Sequence, residues 1–364
     1  MYRHIVFVEE KKAELLPLDR ERIPDRLGDT EILVETDYTL ISPGTELSWY
    51  SGIQREVAGD AFSYPVYTGY CHTGRILQRG RAVSDYAEGD RVVTGAGHVS
   101  HVIVDTRKNF EAEPGDLRKP VAKVPDGLNS ELAPFAKIGE IAFTALRIAD
   151  FTLGEKVLIL GQGMVGNLAA QLFLHAGADV MVADISDFRL RKARDCGIDM
   201  RVNPDSTDIS KVVDEWTGGV GADVTVESTG NSKLLLDSVR YTRRLGDLII
   251  LGTPRRAIEF NPTPDLWQAH MKGITVKGAL RCLFYPLHAS KLHRRSVERD
   301  LEETLRLMAE GGLRVEPLHT HNFVPRECRR AYDELLEAGD RAVGATFDWK
   351  SRTDSGATGG FDNE

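Results

Sequence analysis

The chain has 364 residues, of which 41% are hydrophobic, 7% aromatic and 28% charged, with 34 glycines and 15 prolines. That composition excludes a disordered or fibrous protein and leaves room for two domains with their own cores. Lys and Arg number 46 against 55 Asp and Glu, a formal net charge of −9, which disfavours a nucleic-acid partner because affinity for phosphate backbones needs a cationic surface.

Four cysteines, Cys71, Cys196, Cys282 and Cys328, form no CxxC pair, so neither a disulfide framework nor a four-thiolate zinc lobe is expected. Met1 to Pro17 lacks a basic-then-apolar leader and no run of about 18 apolar residues occurs, so the expectation is a reduced, cytoplasmic protein with no membrane partner.

From Met1 to about Val124, short alternating runs lie between Gly, Pro and Asp: His4 to Glu9, Glu31 to Tyr38, Gly74 to Gln78, Arg91 to Thr94 and His101 to Val104. They predict a small β-barrel or sandwich. A helix is predicted from Ser130 through Ala149. Strands then follow at Lys156 to Leu160, Asp179 to Ala183, Asp223 to Glu227, Asp247 to Leu251 and from Thr275 onward. Between them the pattern predicts helices at Gly166 to Ala176, Phe188 to Cys196, Ile209 to Trp216, Ser232 to Thr242 and Asp265 to Met271. This α/β rhythm is that of a doubly wound parallel sheet. Further on, helices at Val297 to Glu310 and Pro325 to Ala338 flank a strand at His319 to Phe323, and a last strand runs from Ala342 to Trp349. The expected division is 1–125, 126–290, a returning segment 291–350, and a polar tail 351–364 with too little to bury to fold.

The strand ending at Leu160 runs into Gly161-Gln162-Gly163-Met164-Val165-Gly166 and then an apolar helix, and Asp184 ends the next strand. Strand, glycines, helix, strand and acid in this order predict a dinucleotide site. Gly161 allows the tight turn, Gly163 lets the backbone approach a pyrophosphate, Gly166 lets the helix lie close, and the helix N-terminus offers unpaired N–H groups. Asp184 would accept hydrogen bonds from the adenosine ribose and repel an added phosphate, which favours NAD over NADP. Arg189 is read as a helix-start residue beside the adenine, the alternative being a 2′-phosphate partner. Strand ends also bring Ser228, Thr229 and Gly230, and Gly252 and Thr253, to the same crevice.

A β-rich first domain, a nucleotide domain and a returning strand together resemble the medium-chain dehydrogenase/reductase superfamily of the zinc alcohol dehydrogenase type, over Met1 to Lys350. The resemblance is carried by GlyTyrCysHisThrGlyArg (Gly69 to Arg75), GluGlyAspArgValVal (Glu88 to Val93), the stretch Leu153 to Gly166, AspIleSerAspPheArgLeu (Asp184 to Leu190), Gly221 to Gly230 and LeuGlyThrPro (Leu251 to Pro254). IleSerProGlyThrGlu (Ile41 to Glu46) resembles the zinc-free branch that includes bacteriochlorophyllide dehydrogenases. The resemblance implies a GroES-like β-barrel catalytic domain beside a Rossmann domain, and a homodimer through the sheet edge at Val276 to Leu280. At the positions matching the family's zinc ligands stand Ser42 or Pro43, Tyr70 and Lys137, which are poor ligands, and the four-Cys lobe is missing. No metal is expected. Cys71 and His72, as neighbours on a strand, would point to opposite faces.

Without zinc, hydride transfer still needs a group to exchange the hydroxyl proton and one to stabilise charge on oxygen. Lys137, Tyr70, Glu46 and His72 form one catalytic hypothesis: Lys137 as electrostatic stabiliser or base, Tyr70 as hydroxyl donor, Glu46 and His72 as orienting or relay groups. The alternative for Lys137 is a surface lysine paired with Glu140. Trp49 and Tyr50 wall a substrate pocket or fill core, and His98 and His101 are read as strand and loop residues. The leading expectation is a zinc-independent, NAD-dependent oxidation of a secondary alcohol to a ketone, on a sugar, cyclitol or other ring. Its rivals are an NADPH-dependent quinone or enoyl reductase and a catalytically silent nucleotide-binding redox sensor.

Overall fold

The computed structural model describes residues 2–17, 26–107, 120–280, 286–288 and 295–351. Cys282 and the tail from 352 onward lie outside them. The elements of the first part are β1 (Arg3–Glu9), β2 (Lys12–Pro17), β3 (Glu31–Ile41), α1 (Pro43–Tyr50), α2 (Arg55–Ala58), β4 (Val66–Tyr67), β5 (His72–Arg79), β6 (Arg91–Thr94), β7 (His101–Asp105) and β8 (Val121–Lys123). The second part holds α3 (Phe135–Ile148), β9 (Lys156–Leu160), α4 (Met164–His175), β10 (Asp179–Ala183), α5 (Asp187–Asp195), β11 (Met200–Val202), α6 (Ile209–Thr217), β12 (Ala222–Glu227), α7 (Ser232–Asp237), β13 (Thr242–Ile250), α8 (Thr263–Lys272) and β14 (Thr275–Gly278). The chain closes with α9 (Val297–Ala309), β15 (His319–Phe323), α10 (Cys328–Ala338) and β16 (Gly344–Asp348).

The second part is the expected doubly wound sheet. Its six strands run parallel in the order β11-β10-β9-β12-β13-β14. β9 sits centrally and reads KVLIL with Val157 through Leu160 buried, because helices cover both faces and leave no polar side to alternate with. The order reverses between β9 and β12, which places a ligand crevice at their carboxyl ends. In the first part, β3 is the hub. It pairs antiparallel with β5, β7 and β16, so the last strand of the chain completes the sheet of the first domain.

Four elements depart most from the sequence pattern. The helix expected from Ser130 begins at Phe135. Pro134 has no N–H to bond the Ser130 carbonyl, so the helix forms only beyond it. The helix expected over Ser232 to Thr242 ends at Asp237, and β13 starts five residues earlier than Asp247, at Thr242. Arg243, Arg244 and Gly246 carry no strand alternation; the buried Thr242, hydrogen-bonded to Thr225 at 2.8 Å, holds that end in the sheet. Finally, α1 occupies a stretch where only strands were expected. Pro43 at its first position has a φ suited to helix entry, and the Glu46 carboxylate accepts the Ser42 N–H at 2.8 Å.

Candidate active site

The dinucleotide crevice is built from the turn between β9 and α4. Gly161 has φ +96°, and a Cβ there would lie 2.7 Å from the Thr229 methyl, so only glycine makes this turn. At Gly166 a Cβ would meet the Gly161 carbonyl at 2.1 Å, which is the close helix-to-strand approach expected of it. Gly163, at the N-cap of α4, has nothing within 4 Å of an added Cβ; the cradle beside the helix N-terminus is open on that side. Met164 is buried in the first turn of α4 and Val165 packs against the core.

Asp184 is buried at the end of β10. Its carboxylate accepts the Gln162 N–H at 2.6 Å and the Ser186 N–H at 2.8 Å, which fixes it across the mouth of the glycine turn. Arg189 turns its guanidinium toward the Gly339 carbonyl at a long 3.4 Å, and its Nε is buried without an acceptor among the described residues. Ser228 donates to the Leu160 and Gly161 carbonyls at 2.7 and 3.0 Å. The Glu227 carboxylate, not anticipated from the sequence, accepts the N–H groups of Thr229 at 2.7 Å and Gly230 at 3.1 Å. Gly252 packs so close to Gly230 that a Cβ would lie 2.4 Å from the Gly230 nitrogen, and the Thr253 carbonyl would sit 2.5 Å from a Cβ at Gly230. An open cradle, a fixed acid and an orphaned guanidinium nitrogen suit a nicotinamide dinucleotide.

Between the domains lies a cluster of hydroxyls. Tyr70 donates to Ser42 Oγ at 2.6 Å and lies 3.5 Å from Thr45 Oγ1. Burial pushes the Tyr70 phenol well above the usual tyrosine range, the hydrogen bonds to Ser42 and Thr45 only partly offsetting it, so it keeps its proton at ordinary pH. From the nucleotide domain, Arg255 reaches over and donates to Thr45 Oγ1 at 2.9 Å. Sequence reasoning missed Arg255; its signal was its position directly after LeuGlyThrPro at a strand's carboxyl end.

Glu46 lies under this cluster. Fully buried, it bonds the Ser42 N–H, His98 Nε2 at 2.9 Å and the Tyr332 hydroxyl at 2.5 Å. His98, read from sequence as a plain strand or loop residue, is thus a buried partner of Glu46, its other nitrogen lying 2.7 Å from Thr39 Oγ1. His72 is held elsewhere: its ring nitrogens lie 2.9 Å from Thr36 Oγ1 and 3.0 Å from Thr94 Oγ1 inside the sheet. Glu46 therefore adjoins Tyr70 through Ser42, and His72 does not. Tyr50 is core, stacked on Tyr332 with its hydroxyl on Lys11 and Asp333, so its pocket-wall reading falls away; Trp49 packs on the same cluster. His101 stays at the strand edge, edge-on to Tyr2.

Lys137 is not a surface residue. It stands in the first turn of α3, 1% exposed, in an ion pair with an equally buried Glu140. The sequence spacing foresaw the partner but not the burial, because the α3 stretch from Phe135 to Glu140 is buried residue after residue and shows no exposed face.

A phenol, two hydroxyls and a paired ammonium are not a zinc donor set. Among the described residues no three His, Cys, Asp or Glu side chains converge to hold a metal.

With this geometry in hand, the chain can be set beside known proteins. Residues 165–294 match the family model described as zinc-binding dehydrogenase. An L-threonine 3-dehydrogenase of Legionella pneumophila (strain Philadelphia 1) is 29% identical over 357 residues, covering 91% of this chain and 96% of its own. Among solved structures, galactitol-1-phosphate dehydrogenase from Escherichia coli superimposes with a TM-score of 0.76 at 18% identity, covering 95% of this chain and 99% of its own. The 2R,3R-butanediol dehydrogenase from Bacillus subtilis gives 0.74 at 21% identity, over 96% and 99%. The fold is that of the medium-chain alcohol dehydrogenases, a GroES-like domain joined to a Rossmann domain, and the matches indicate an oxidoreductase. The likeness to the zinc-free branch expected from Ile41 to Glu46 is not shown by these matches; the family model, described as zinc-binding, covers residues 165–294 and not that segment.

Proposed function

We propose that the protein is a zinc-independent, NAD-dependent oxidoreductase that moves hydride between a secondary alcohol, on a sugar, cyclitol or other ring, and nicotinamide, acting in the cytoplasm as a homodimer. The observation that carries the reading is the open cradle at Gly163 facing a buried Asp184 whose carboxylate is already oriented by two backbone N–H groups. Bound nicotinamide would supply the hydride acceptor. The protein's share is to hold the dinucleotide on the N–H groups of α4 and to manage the hydroxyl proton.

Tyr70 is the group for that proton. It is protonated, it is joined to Ser42, and it stands where the resemblance puts a zinc ligand. In the ketone-to-alcohol direction its hydroxyl donates to the developing oxyanion; in the other direction the Tyr70 oxygen takes the alcohol's proton as its own passes to Ser42 Oγ, and Ser42 gives its hydroxyl proton to water. The buried Lys137 and Glu140 pair lies within the first two turns of α3. For the dimer, β14 is an edge of the parallel sheet among the described residues, with Val276 exposed on it, Leu280 exposed just beyond it and Leu266, Trp267 and Met271 exposed on the neighbouring α8, an edge of the kind a second copy can extend.

Titration of the purified protein with NAD and with NADP tests the cofactor assignment. NAD should bind at least about tenfold more tightly, and Asp184→Asn, which keeps one acceptor and removes the charge, should erase most of that ratio. Tighter NADP binding by the unaltered protein would overturn it.

A further inference from the structure

Arg255 is a half-buried cation with no acid beside it among the described residues. Arg147 is paired with Asp300, Lys156 with Asp179, Lys277 with Asp247 and Arg243 with Asp223, whereas no carboxylate among the described residues lies within ion-pair distance of Arg255. Among the described residues its one hydrogen bond is to the neutral Thr45 Oγ1 at 2.9 Å. The other terminal nitrogen, Nη1, faces Gly44, where an added Cβ would lie 3.7 Å away. Glu46, next in sequence to Thr45, is already taken up by Ser42, His98 and Tyr332. Burial lowers the pKa of Arg255 and Tyr70 raises it, yet a guanidinium stays charged at any ordinary pH. The loop that carries it is tied to the first domain a second time, the Ala257 N–H donating to Glu56 at 3.2 Å. A forked, partly desolvated cation held beside Tyr70, with most of its donors unused, is arranged to accept a planar or tetrahedral oxyanion.

We propose that Arg255 is a specificity-determining residue of the substrate site and takes an anionic substituent, carboxylate or phosphate, of the alcohol whose hydroxyl lies at Tyr70. This deepens the proposed alcohol oxidation and rests on it for the position of the reacting oxygen. Thr45 orients the guanidinium from one side. Gly44 carries no side chain to crowd Nη1.

The test is calorimetric titration of the protein saturated with NAD, a state in which ketones bind without turnover. The probes are acetoacetate, dihydroxyacetone phosphate and the neutral 4-hydroxy-2-butanone. At least one anionic probe should bind about tenfold or more tightly than the neutral one, and which one does so separates carboxylate from phosphate recognition. Arg255→Gln should abolish the difference, and Arg255→Lys, which keeps the charge without the fork, should retain part of it. Equal binding of the three probes, failure of all three to bind, or an unchanged preference in Arg255→Gln would overturn the inference. The NAD titration that precedes each run separates the two levels: a protein that takes no dinucleotide fails the broader reading. The anion preference is then read on the dinucleotide-free protein with the same three probes and the same outcomes.

Discussion

Lys137 and Glu140, each 1% exposed, form the kind of pair whose two halves are costly to separate. Lys137→Ala leaves the Glu140 carboxylate buried without its ion-pair partner and should lower stability by roughly 3–5 kcal/mol, read as a fall in the denaturant midpoint. The double variant Lys137→Met with Glu140→Leu should recover most of that loss. Turnover then decides the role: a stable double variant with near-normal kcat makes the pair structural, and a stable but inactive one returns Lys137 to the chemistry. Tyr70→Phe, by contrast, should cost about 100-fold or more in kcat with stability little changed, the ordinary effect of removing a positioned proton donor. At this scale the sequence carried identities and spacings but not burial. Tyr70 and Lys137 were legible because motifs placed them. Arg255, Glu227 and His98 were not, because what gives them meaning is a neighbour 52 to 210 positions away or a carboxylate bent back on its own turn.

Elements in the nucleotide domain obey two different constraints at neighbouring glycines. Gly166→Ala drives a methyl against the Gly161 carbonyl, 2.1 Å from the ideal Cβ position, and should cost about 1–3 kcal/mol of stability through overpacking. Gly163→Ala meets nothing within 4 Å; its stability cost should stay below about 1 kcal/mol, while NAD affinity falls about tenfold as the methyl enters the cradle. Thermal unfolding with and without NAD separates these outcomes, and equal stability losses in the two variants would contradict the division. The strands β9 and β10 were legible to the residue because fully apolar runs between glycine turns have one reading in an α/β chain. The start of β13 and the short helix α1 were not. Arg243 and Arg244 lie in a strand without alternating, and a buried Glu46 closes a helix turn whose residues, SerProGlyThrGlu, read as loop.

At the scale of the molecule, two domains share one chain path: β16 returns to β3 and closes the first sheet after the nucleotide domain is complete. In the proposed dimer the exposed apolar residues of α8 and the β14 edge would meet a second copy, so Val276→Asp should give a monomer in sedimentation velocity; an unaltered protein that sediments as a monomer would remove the proposal. The most direct test of zinc-independent hydride transfer is the nicotinamide absorbance of protein freed of metal by chelator, followed with NAD against a panel of secondary alcohols that includes anionic members. Reduction of NAD that survives the chelator and gains nothing from added zinc is the predicted result. Activity that vanishes with the chelator and returns with zinc, or no reduction with any alcohol, would contradict it.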